Sequence, residues 1–142
     1  MTEGFVRPVR TNVNRGFWEG ADEGELRVQR CVPCGELRYP PASHCPRCLA
    51  GESSWQAVSG RGEVLSYIVI HQRYHPAWAD RVPYNVAIVQ LDEGPRMISN
   101  LLPLNRPDIH VGMPVRVVFD NEDGVRVPRF VGADEDHEGG QR

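Results

Sequence analysis

Every cysteine of the chain lies in one stretch, CVPCGELRYPPASHCPRC, as two C-x-x-C pairs (Cys31 and Cys34, Cys45 and Cys48) with ten residues between them. Four thiols packed this closely could serve as a redox dithiol, as two disulfides or as one metal site. A redox C-x-x-C normally opens a helix in a βαβ unit, and here two pairs stand with no such unit around them. Stable structural disulfides are rare in a reducing cytoplasm. That compartment is the expected one, because MTEGFVRPVRTNVNRGF at the start has no apolar core of the kind a secretory leader needs. A metal suits the spacing better. Two intervening residues let both sulfurs of a pair turn toward one point, and two such knuckles supply a tetrahedron with metal–sulfur bonds of about 2.3 Å.

The two knuckles are not equally ideal. Gly35 directly follows Cys34, and glycine accepts the positive φ such a turn demands. The second pair is followed by Leu49 and Ala50, with its glycine displaced to Gly51. His44 sits beside Cys45, but four thiolates already complete a shell. The expectation is therefore one structural zinc, rather than iron, held by Cys31, Cys34, Cys45 and Cys48.

A catalytic zinc keeps a position open for water, whereas four protein thiolates close the shell. The cysteines thus account for a fold and not for a reaction. A segment carrying Pro33, Pro40, Pro41 and Pro46 has little surface to bury. Metal binding, worth on the order of 10–16 kcal/mol in zinc-finger peptides, would supply the missing stability. Elsewhere the chain has no G-x-S-x-G elbow, no Walker loop, no G-x-G-x-x-G and no H-E-x-x-H among its five histidines. No catalytic residue is assigned.

The elements that must position these groups read as mainly β. The 142 residues, 40% hydrophobic and 25% charged, suit one or two small globular units. No apolar run reaches the roughly 18 residues of a membrane span. NRGFWEGADEGELRVQR predicts a short helix stopping near Gly24, then a strand that delivers Cys31. Gly20 weakens that helix. Phe17 and Trp18 on it are either a staple onto the metal module or an anchor for another protein.

After Trp55 the pattern turns to period two, in strands at 62–72, 84–92, 96–102, 112–120 and 125–131. Five antiparallel strands without a helical layer must close on themselves, and a small OB-type barrel is the economical solution. The expected division is an N-terminal arm with a short helix (1–24), a zinc ribbon (25–57), an OB-fold barrel (58–131) and an acidic, mobile tail (132–142).

One loop stands out. HQRYHPAWADRVP (71–83) joins the first two barrel strands and carries Tyr74, His75 and Trp78. OB folds commonly bind through this loop and the adjoining strand face. Either the aromatics fold back over the barrel mouth, or they form the centre of a protein interface. Single-stranded nucleic acid is the alternative ligand. It requires a basic groove, yet the formal charge is −3, lysine is absent and the arginines are scattered among acids. That alternative needs Arg61, Arg73, Arg81 and Arg96 gathered on one face, with Tyr67 and Tyr84 as stacking platforms.

In order along the chain run FWEG (17–20), CVPCG (31–35), RYPP (38–41), CPRC (45–48), GRGEVLSY (60–67), HPAW (75–78), VPYNVAIVQLDEGPR (82–96) and GMPVRVVF (112–119). This set, covering about residues 15–131, resembles the zinc-ribbon plus OB-fold proteins once catalogued as a domain of unknown function and often described as nucleic-acid binders. The resemblance implies a rubredoxin-like ribbon followed by an OB barrel, with the four cysteines as metal ligands. It also implies an accessory role beside thiolase-superfamily enzymes of acyl-CoA metabolism. These include thiolases, retro-aldolases of steroid side-chain breakdown, hydroxymethylglutaryl-CoA synthases and polyketide-type acyltransferases. The chain would then meet acyl-CoA only indirectly. Two copies on a thiolase dimer follow from the partner's two-fold symmetry.

Overall fold

In the computed structural model the described residues are 8–72 and 76–136, without the side chains of Ala77 and Trp78. The arm forms one helix, α1 (Arg15–Asp22), which ends at Glu23 and turns out through Gly24 with φ +76°. Gly16 and Gly20 look unfit for a helix, but both are needed for its approach. A Cβ on Gly16 would lie 2.3 Å from the Trp55 ring, and one on Gly20 would lie 2.7 Å from the Glu25 carbonyl. Two glycines four apart flatten one side of the helix, which therefore sits directly on the ribbon.

The ribbon is a three-stranded antiparallel sheet of β1 (Arg27–Cys31), β2 (Leu37–Arg38) and β3 (Ser53–Ala57), in the order β2-β1-β3. Its proline-rich loop is fastened by a buried polar group. Gln29 Oε1 accepts from Arg38 Nε at 3.0 Å and from the Ala42 N–H at 2.7 Å. Arg38 also donates to the Ala42 carbonyl at 2.9 Å.

The remaining strands are β4 (Arg61–Ile70), β5 (Tyr84–Leu91), β6 (Arg96–Ser99), β7 (Pro114–Glu122) and β8 (Val125–Gly132). They form one antiparallel sheet in the order β6-β5-β4-β7-β8. The sheet curls until its two ends meet at a short parallel bridge between Leu101 and Phe130. There the Phe130 N–H donates to the Asn100 carbonyl at 3.0 Å, and the Leu102 N–H to the Phe130 carbonyl at 2.8 Å. The result is an OB-like barrel, half closed. A 3-10 helix, Pro76–Arg81, lies between β4 and β5. The connection from β6 to β7 contains no helix.

Arm, ribbon and barrel share one core. Phe17 and Ala21 of α1 and Leu26 before β1 cluster with Val64, Val89, Met97, Val115 and Phe130, while Trp55 packs against them from β3. No described helix is long and apolar enough to cross a membrane.

Candidate functional site

The four cysteines arrive on two turns of matching construction. In the first, the Gly35 N–H donates to the Cys31 carbonyl at 2.8 Å and the Cys31 N–H to the Glu36 carbonyl at 2.9 Å. In the second, the Leu49 N–H donates to the Cys45 carbonyl at 2.8 Å and the Cys45 N–H to the Ala50 carbonyl at 2.9 Å. Gly35 takes φ +77°, and Leu49 takes φ +68° at the same offset from its pair. Leu49 thus occupies the left-handed position that Gly35 fills without strain. The displaced Gly51 does not substitute for it.

The sulfurs converge. All four lie within 4.8 Å of one another, with Cys31 to Cys48 at 3.4 Å and Cys34 to Cys45 at 3.7 Å. A tetrahedron with 2.3 Å bonds has edges of about 3.8 Å, so the set can close on zinc with shifts of no more than about 1 Å. Cys31 and Cys45 are buried and Cys34 and Cys48 exposed. The Cys48 and Arg47 backbone N–H groups hold the Cys45 thiol down to about 6, which readies it as a thiolate. Among the described residues no other cluster of metal-ligating side chains occurs. His44 turns instead to Ser43 Oγ at 3.0 Å. When bound, zinc would contribute a closed, structural cross-link between the two turns.

The residues expected at an interface are dispersed. Phe17 is buried at 4% exposure between the Trp18 and Tyr39 rings, at centroid distances of 5.0 and 5.4 Å. Trp18 is half-buried and lines a cleft of about 160 Å³ with Tyr39, Ile98 and Pro128. Tyr74 and His75 lie outside the described residues, as does the side chain of Trp78.

Strand register separates the two tyrosines of the nucleic-acid alternative. Tyr67 pairs with Ala87 on the inner face of the sheet, whereas Tyr84 pairs with Ile70 on the outer face. Arg81 is bound to Glu122 at 2.8 Å and Arg96 to Gln90 at 3.0 Å, while Arg73 lies outside the described residues. Among the described residues, the two tyrosines therefore do not share one stacking face.

A cavity of about 780 Å³ lies away from the metal centre, lined by Arg81, Leu102, Leu104, Asp120 and Glu122 among others. Its charges are largely spent on one another. Arg129 Nη1 bridges Asp120 and Glu122, each at 2.7 Å. Nothing in this lining pairs a nucleophile with a base.

Models of two domain families match the chain in tandem. The ChsH2 rubredoxin-like zinc ribbon matches residues 18–53, and the ChsH2 C-terminal OB-fold domain matches residues 55–120. A solved chain of the Ltp2-ChsH2(DUF35) aldolase is 37% identical, with TM-score 0.79, over 89% of this chain and 99% of that one. The chain belongs to the ChsH2 (DUF35) family. Other relatives carry different activities in their names. The benzoylsuccinyl-CoA thiolase subunit BbsA of Thauera aromatica is 32% identical over 70% of this chain and 69% of its own. A probable enoyl-CoA hydratase alpha subunit of Thermomonospora curvata is 42% identical over 77% of this chain. The DUF35 chain spans only 34% of that hydratase subunit's length.

Proposed function

We propose that the chain is a non-catalytic accessory subunit that binds a thiolase-fold enzyme and stabilises it or completes its acyl-CoA site. The reading is carried by the match to the Ltp2-ChsH2(DUF35) aldolase, in which a chain of this family is one of two named components. BbsA, a subunit of a CoA-dependent thiolase, supports the same class of partner. The chemistry of the chain agrees. Its thiols converge on a metal site, and the described histidines near polar groups engage local atoms, His44 at Ser43 and His110 at the Asp108 carbonyl. The partner supplies nucleophile and base. Tyr74, His75 and Trp78 are proposed to contribute to the contact, as their residue types and their position between two barrel strands suggest.

The test is co-expression with a thiolase-fold enzyme encoded beside this chain, followed by gel filtration and assay on acyl-CoA esters. The expected outcome is a complex with two copies of each chain, and turnover that requires both. Turnover of a thioester by the purified chain alone overturns the reading, as does an enzyme that is fully active and never associates. Replacing Tyr74, His75 and Trp78 together by Ala is expected to weaken the complex.

A further inference from the structure

Strand β5 is largely apolar on both faces, with Asn85 on the inner and Gln90 on the outer. Asn85, Ala87, Val89 and Leu91 point into the barrel, and Tyr84, Val86 and Ile88 point out. An irregularity in β4 adds to this outer face. Register shifts between Val64 and Ser66, so that Val64 faces inward opposite Val89 while Ile68 and Ile70 face outward opposite Val86 and Tyr84. Ile98 of β6 joins them opposite Ile88. Ile68 is 59% exposed and Ile98 68% exposed.

The edge of β4 is open as well. Its pairing with β7 stops at Glu63, and among the described residues no strand lies beside residues 66–70 on that side. There Tyr67 and Val69 are also exposed. Proteins ordinarily blunt such an edge with charge, proline or a cover. The segment VLSYIVI (64–70) has no charge and no proline.

We infer that the outer face of β4-β5-β6, centred on Ile68 and Ile98, is the docking surface for a flat, uncharged apolar face of the thiolase-fold enzyme. This rests on the accessory-subunit reading and specifies where that subunit binds. Area argues for the occupant. Ile68 and Ile98 together expose on the order of 200 Å², and the half-buried Ile70, Val86 and Ile88 extend the same face toward the size of a functional patch. That supplies the apolar centre of an interface needing about 800 Å² per partner. A second copy paired edge to edge along β4 would leave Ile98 uncovered, because Ile98 stands two strands away, about 10 Å. A broad enzyme face covers all three strands. It also reaches the Trp18 cleft, whose lining includes Ile98.

The test compares the wild-type chain, Ile68→Glu, Ile98→Glu and the double variant in binding the co-expressed thiolase-fold enzyme. Val9→Glu, at a 76% exposed position in the N-terminal arm, is the control. A buried carboxylate at the centre of the contact is expected to weaken binding about tenfold or more for each single variant. The control should bind normally, and zinc content and melting temperature should be unchanged in all. Hydrogen exchange of the wild-type chain provides a measurement without substitution, and amides of residues 66–70 and 96–99 should gain protection in the complex. If the wild-type complex forms and the double variant binds as well as wild type, or no protection appears, the docking face is wrong while the accessory reading stands. If the wild-type chains never associate, both fall. A wild-type chain that dimerises alone, with Ile68→Glu monomeric, assigns the face to a second copy and overturns the proposal.

Discussion

Leu49 concentrates strain at a single position. It adopts φ +68° and is 74% exposed, so its side chain contributes little packing in return. Leu49→Gly is expected to stabilise the second knuckle by about 1 kcal/mol, read as a higher melting temperature with one zinc still bound. Arg129 presents the opposite case. It and Asp120 are almost wholly buried, and Asp120 Oδ1 is buried without a hydrogen-bond partner. Arg129→Met leaves Asp120 uncompensated and should cost about 3–5 kcal/mol by denaturant unfolding, whereas Asp120→Leu with Arg129→Met should cost much less than the sum of the singles. Glu122 beside them has a pH signature. Burial pushes its carboxyl up, but the Arg81 and Arg129 guanidiniums outweigh burial and hold it below the usual range near 4.5. Its folded-state value is therefore below its unfolded one. Its stabilisation is present above about pH 4.5 and is lost as pH falls further. Glu122→Gln should flatten that acid limb in chemical denaturation at stepped pH, and an unchanged slope would refute the assignment.

Among the elements, α1 depends on the two glycines that made it look weak in sequence. Gly16→Ala must displace the Trp55 ring, an overpacking expected to cost about 1–3 kcal/mol and to perturb Trp fluorescence. The knuckles, the short helix and the five barrel strands were all legible, because cysteine spacing, helix-stop signals and period-two alternation are local patterns. Which face of β5 turns inward was not legible. Asn85 is buried because Leu101 and Leu104 on a distant segment satisfy it: its Nδ2 donates to both carbonyls at 2.8 Å, and its Oδ1 accepts the Leu101 N–H at 2.7 Å. No window around Asn85 contains those partners. The irregularity near Leu65, which sends Ile68 outward, is likewise a property of pairing with β5 and not of β4 alone.

Over the molecule as a whole, the shared core makes the metal centre a support for the barrel. Phe17, Leu26 and Trp55 join helix and ribbon to the same cluster as Val64 and Phe130. Removing zinc with a chelator, or replacing Cys45 by Ser, is therefore expected to melt both sheets in one transition. Far-ultraviolet dichroism and Trp fluorescence should report the same lowered midpoint, and a barrel that melts at its original temperature would contradict this coupling. The four-thiolate centre was written in the linear order, since two knuckles need only their own few residues to aim their sulfurs. The arm–ribbon–barrel core and the outward Ile68–Ile98 surface were decided by packing. A residue's face is set by the strands and segments that reach it from far along the chain, and only folding brings those together.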